Sequence, residues 1–152
     1  MPILKNIGID TEEFANTMMS IESEFVIAIH NIEYILKQLQ GKYKIVCLTN
    51  WFGSIAKEKL EKTNLMKYIS AIYTCEDNYA KPNPIAFTKV LEKENLNENE
   101  AIMIGDTYTD IISSKYRIQS ILMDYDDNKK AEVKDVATAV VTETMDLCKI
   151  LI

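Results

Sequence analysis

One histidine, His30, is all that a chain of 152 residues contains. A histidine-based zinc site and a Ser–His–Asp triad are therefore disfavoured. Chemistry here falls to carboxylates, lysine, hydroxyls and backbone amides. Basic residues are also in deficit. Lys and Arg number 17 against 23 Asp and Glu, for a net charge of −6, and no basic run exceeds the pair Lys129–Lys130. That argues against a nucleic-acid partner. No apolar segment reaches the ~18 residues of a membrane span, so no membrane partner is expected. The opening "MPILKNIGID" lacks the charged start, apolar stretch and cleavage site of a signal peptide. Cysteine is scarce and odd in number. Cys47, Cys75 and Cys148 lie far apart, which reads as reduced thiols in a cytoplasmic protein. Only four glycines and three prolines punctuate the chain, and there is no low-complexity linker or internal repeat. The length suits one globular domain.

What is present is alternation. Short apolar runs recur at "YKIVCL" (43–48), "SAIYT" (70–74), "AIMIG" (101–105), "QSILM" (119–123) and "TAVV" (138–141). They lack in–out periodicity, as strands covered on both faces do. Between them, "IEYILKQLQ" (32–40) puts Ile32, Ile35, Leu36 and Leu39 on one helical face, and 54–65 and 84–96 show similar spacing. Alternating strands and helices predict an α/β fold with a parallel sheet. Residues 1–30 read differently, as helix, with Asp10 or Thr11 as N-cap.

In open parallel sheets ligands bind beyond the carboxyl ends of the strands. The polar residues after these runs are Thr49 and Asn50, then Glu76 and Asp77 leading to Lys81, then Asp106, Thr107 and Asp110. Gathered at one rim they would supply a hydroxyl, an amide, an ammonium and carboxylates. That is an inventory for a phosphate and a divalent cation. The carboxylates of "GDTYTD" repel one another without a cation. Trp51, Tyr79 and the "DYDDN" loop (124–128) read as packing or solvated surface.

The order and spacing of these motifs resemble the haloacid dehalogenase-like (HAD) superfamily. "KIVCLTN" looks like its second motif, Lys81 in "KPNP" its third, and "IMIGDTYTD" its fourth, GDxxxD. The resemblance implies a three-layer, Rossmann-like α/β core over residues 31–152, preceded by a helical cap-like remnant over 1–30. It implies that Thr49, the Asn50 amide and Lys81 bind a phosphoryl group, with Thr49 and Lys81 catalytic. It also implies that Asp106 and Asp110 bind Mg²⁺. The partner would be a small phosphorylated molecule.

The family's first motif, DxDx[TV] after a strand, has no counterpart before Thr49. That motif carries the nucleophile. Asp10 in "IGIDTEEF" is the nearest carboxylate, but Lys5 and Asn6 would then lie inside the most buried strand. Without that motif the expectation is a truncated phosphohydrolase, weakly active or inactive as this chain, with weak Mg²⁺ affinity. The alternative is a non-catalytic phosphate- and Mg²⁺-binding or assembly module. A phosphoacceptor receiver domain would place its acidic pair first, whereas here it comes last.

Loss of a central strand also removes about five hydrogen bonds on each side, at ~1 kcal/mol apiece, comparable with the ~5–15 kcal/mol of a whole domain. Three outcomes are therefore expected. The flanking strands pair directly, residues 2–9 fill the gap, or another chain donates a strand; self-association is a related expectation. Finally, Arg117 stands near where relatives place glycine, and a positive φ there would strain it.

Overall fold

The computed structural model describes residues 24–77, 80–127 and 129–152, together with Gly8, Asp10, Glu13, Thr17 and Ile21. Strands and helices alternate as α1 (Ile32–Leu39), β1 (Val46–Thr49), α2 (Gly53–Lys62), β2 (Ala71–Thr74), α3 (Pro84–Glu94), β3 (Ile102–Gly105), α4 (Tyr108–Ile111), β4 (Gln119–Met123), α5 (Ala131–Lys134), β5 (Ala139–Val141) and α6 (Asp146–Leu151). Every apolar run of the sequence contains a strand. The helices predicted over 32–40, 54–65 and 84–96 are there too, ending earlier than their periodicity suggested, while most of the helix expected within 1–30 lies outside the described residues.

Local chemistry sets the boundaries. Asn83 caps α3, its Oδ1 accepting from Ile85 N at 3.0 Å, and Pro84 occupies the first turn, where a missing N–H costs nothing. Asn95 ends the same helix in the left-handed region at φ 56°. Asn64, just beyond α2, adopts φ 58°. In a glycine-poor chain asparagine does this work, because its side chain bonds locally and tolerates that conformation. Asp127 shares that tolerance at φ 47°, but Arg117 does not. It closes a 3₁₀ turn at φ 65°, the conformation in which arginine is strained.

All strand pairs are parallel, and they form two sheets. One is β1–β2, with Val46 opposite Ala71 and Thr49 opposite Thr74. The other is β3–β4–β5. The two lie side by side in one layer, as the cores show. Ile45 and Ile104 both pack against the cluster of Ile35, Leu39, Ile121, Met123, Leu147 and Leu151, contributed by α1, β4 and α6. Leu48 and Met103 both pack against Phe87, Leu91 and Ile118 on the opposite face, beside α3. Helices, sheet and helices make the three layers expected.

Among the described residues β1 and β3 do not pair with each other. The first of the three expected outcomes is therefore not realised. Residues 1–7 and 9 lie outside the described residues. The flanks look like edges. Every residue of β1 is half-buried, and Ile102 of β3 is exposed, whereas β4 is buried from Ser120 to Met123.

Asp10 is exposed, and its Oδ1 accepts from Glu13 N at 2.9 Å. It serves as the predicted helix cap. Beyond it Ile21, Phe25, Ile27 and Ile29 are open to solvent, with Phe25 73% and Ile27 86% exposed. No helix among the described residues is long and apolar enough to cross a membrane.

Candidate functional site

Three loops meet at the carboxyl rim of the sheets. The first leaves β1 through Thr49 and Asn50. Thr49 is half-buried and its Oγ1 accepts from Trp51 N at 3.2 Å, a short turn that holds the hydroxyl at the strand end. Asn50 reaches across to the second loop. Its Nδ2 donates to Lys81 O at 2.8 Å, and its Oδ1 accepts from Lys81 N at 2.8 Å. This reciprocal pair fixes the backbone of residue 81 over the end of β1.

From there the Lys81 side chain turns inward and is 8% exposed. Its Nζ donates to Leu48 O at 2.6 Å and also to Asp110 Oδ1. An ammonium buried this deeply needs such partners, since desolvating it alone would cost several kcal/mol. Asp110, buried in α4, comes from the third loop. Its second oxygen, Oδ2, accepts from Thr107 N at 3.1 Å and from Thr107 Oγ1 at 2.6 Å, the capping arrangement that starts α4. Gly105 makes room for it. A Cβ there would come within 3.0 Å of the Asp110 carboxyl.

Of the residues expected from sequence, Asn50, Lys81 and Asp110 are thus linked by direct hydrogen bonds, and Thr49 adjoins them. Asp106, at the end of β3, is exposed and faces the rim without entering this network. Its charge reaches Tyr125, whose phenol burial pushes above its ordinary value, with Asp106 adding to the rise.

Leu48 was not singled out by sequence reasoning, and Thr107 and Glu76 were placed at the rim without a role. Leu48 contributes only a carbonyl, which no residue type advertises. Thr107 was legible, because Thr followed three residues later by Asp is a capping signature. Glu76 accepts from Gly53 N at 2.7 Å through Oε2. It thus places a carboxylate at the N-terminus of α2, where the dipole favours negative charge. Cys47, near Lys81, is a thiol raised by burial, an effect the lysine charge partly opposes.

For a hard cation such as Mg²⁺ the donor set is thin. Asp106 offers a solvent-facing carboxylate, while both oxygens of Asp110 are engaged by Lys81 and Thr107. Among the described residues no three His, Cys, Asp or Glu side chains are grouped for metal binding. One carboxylate with water and ligand oxygens is a set Mg²⁺ accepts, though loosely.

The profile of a family described as haloacid dehalogenase-like hydrolase matches residues 3–122. The chain is 32% identical over 98 residues to the pyrimidine 5'-nucleotidase YjjG of Escherichia coli (strain K12), covering 63% of this chain and 42% of that protein. It is 29% identical over 77 residues to the phosphoglycolate phosphatase of Vibrio parahaemolyticus, covering 50% of this chain and 34% of that one. Each match thus spans less than half of the curated relative's own length. In structure, the chain is similar to a magnesium-bound protein described as the HAD-hydrolase YfnB of Bacillus subtilis. The TM-score is 0.82 at 20% identity, over 99% of this chain and 67% of that one. That likeness establishes the fold.

Proposed function

Because the chain belongs to the haloacid dehalogenase-like hydrolase family, we propose that its rim binds the phosphoryl group of a small phosphorylated metabolite. The carrying observation is the convergence of Asn50, Lys81 and Asp110 from three separate loops, beside Thr49. A phosphoryl oxygen would take donors from the Thr49 hydroxyl, the Asn50 amide and the Lys81 ammonium. Both curated relatives are named for small phosphorylated substrates, a nucleotide and phosphoglycolate. The core would span residues 31–152, with 1–30 a cap-like remnant.

Mg²⁺, when bound, would neutralise charge on the phosphoryl oxygens, and Asp106 would hold it, with Asp110 positioned by Lys81 rather than free to ligate. We expect weak affinity. The covalent route that the family resemblance implies needs an attacking carboxylate. Among the described residues none stands beside Lys81 except Asp110, which the ammonium and Thr107 already occupy. The chain by itself is therefore read as a weakly active or inactive form of a phosphohydrolase. The second reading, a phosphate-binding or assembly module, is favoured by the edges of β1 and β3 that lack a strand partner among the described residues and by the exposed Phe25 and Ile27.

The test combines turnover of p-nitrophenyl phosphate in Mg²⁺ with thermal melts in phosphate and Mg²⁺, for the unsubstituted chain and Asp106→Asn. Turnover abolished by Asp106→Asn establishes the enzyme. Absence of turnover with phosphate-dependent stabilisation establishes the binding module. Neither turnover nor stabilisation refutes the phosphate site itself.

A further inference from the structure

We propose that Trp51 determines which phosphorylated molecule the rim accepts, its ring receiving a flat aromatic group carried on the phosphoryl group. The inference rests on the phosphate reading and adds a substrate class, a phosphomonoester bearing an aromatic ring, as a nucleoside monophosphate does. Among the described residues, three strands run straight from the rim into exposed aromatic side chains. β1 leads through Thr49 and Asn50 to Trp51 and Phe52, β3 through Asp106 and Thr107 to Tyr108, and β4 through Asp124 to Tyr125. The topology sets these loops together. Gly105 lies opposite Leu122, so β3 and β4 end side by side and deliver Tyr108 and Tyr125 to neighbouring turns. Lys81 bonds both Leu48 O and Asp110, which ties the loop of Trp51 to the one that holds Tyr108.

Trp51 is the best placed of the four rings. Its N–H donates to Thr49 Oγ1 at 3.2 Å, which leaves that hydroxyl's own proton to donate to a phosphoryl oxygen. Lys59, on the second turn of α2, lies over one face of the indole with its Nζ 3.7 Å from the ring centroid. A cation there holds the ring in one orientation, and a ring already held loses little freedom when a ligand stacks on it. Trp51 nevertheless stays 37% exposed, so indole surface remains for a guest. Single exposed aromatics are ordinary. Four on adjoining loops around one set of phosphoryl donors make an apolar wall above a polar floor, which is how small-molecule sites are composed. The occupant follows from those two chemistries. Thr49, Asn50 and Lys81 at the floor take an anion, and the rings prefer a flat aromatic group to a saturated one, because stacked faces match in shape and charge distribution.

Trp51 is the lone tryptophan, so its fluorescence reads the contact directly. The full chain is titrated in Mg²⁺ buffer with inorganic phosphate, cyclohexyl phosphate, phenyl phosphate and adenosine monophosphate, by fluorescence and by calorimetry. Phenyl phosphate should quench the indole and bind about tenfold more tightly than cyclohexyl phosphate, which is close to it in size and charge but has no aromatic face. Tighter binding of the nucleotide than of phenyl phosphate identifies a nucleobase as the ring, and the reverse order identifies a smaller aryl group; both orders support the inference. By calorimetry, Trp51→Leu should bring phenyl and cyclohexyl phosphate within about twofold of one another, and Trp51→Phe should restore most of the preference. Equal affinities in the unsubstituted chain, or a preference that survives Trp51→Leu, would overturn the inference while the phosphate site stands. If none of the four compounds binds, the phosphate reading itself fails and this inference with it. Should Trp51→Leu fail to fold, the affinity ratio and the quench in the unsubstituted chain decide.

Discussion

Replacing Lys81 by Met removes an ammonium from a place where solvent scarcely reaches. Its side chain is 8% exposed and that of its partner Asp110 is 9% exposed. The substitution leaves Asp110 Oδ1 without its cation and Leu48 O without its donor. Breaking a buried pair from one side costs ~3–5 kcal/mol. Thr107 still gives Oδ2 two hydrogen bonds, which return a share of that, so the expected loss is about 2–4 kcal/mol. Asp110→Asn should cost about 3 kcal/mol, because the ammonium then keeps only a neutral carbonyl and amide. The double substitution removes both charges and should cost less than the sum, with a coupling of about 2 kcal/mol. Urea unfolding of the four proteins at pH 7, read by fluorescence of the lone Trp51 and by circular dichroism, closes the cycle. Single losses below about 1 kcal/mol that simply add would refute the reasoning. Lys81 would then be a solvated surface charge and not the anchor that joins β1 to α4.

Other substitutions probe the neighbouring features. Arg117→Gly should raise stability by about 0.5–1 kcal/mol, the relief of a left-handed arginine less the entropy glycine loses on folding; a higher urea midpoint at unchanged slope is the check. Gly105→Ala should lower stability by about 1–3 kcal/mol, because the new methyl meets an Asp110 carboxyl that Lys81 and Thr107 prevent from retreating; the same melts report it. Lys44 first, then the Tyr73 hydroxyl, holds Glu94 below its usual value near 4.5. The unfolded chain therefore takes up that proton at higher pH than the folded one, so this contribution is complete above about 4.5 and fades as pH falls through the lowered value. Glu94→Gln should flatten the acid limb of a stability-versus-pH curve below pH 4.5 and lower the plateau above it.

Much of this was legible because each signal was local. Five apolar runs without in–out alternation became five parallel strands, and the residues following three of them became the rim. Arg117 was readable as strained only through the resemblance, because relatives place glycine near that position. What the sequence withheld concerns partners. Asp110 reads as a cation ligand from its spacing to Asp106, yet folding sets it three residues from its own cap and against Lys81, consuming both oxygens. Glu76 reads as one more acid after a strand, but its carboxylate ends at the head of α2. Leu48 offers nothing in its side chain; its role lies in a carbonyl whose direction depends on strand register. Pairing of strands likewise depends on what the rest of the chain supplies, and no run of residues announces that its outer edge lacks a partner among the described residues.

The lysine resting on Leu48 has a further consequence, for behaviour in concentrated solution. Bare edges are templates on which identical molecules can stack rung upon rung into fibres. A charge planted on the last rung makes each such addition bury an ion. A neutral side chain at the same place would lack that penalty, so the charge disfavours stacking along this edge.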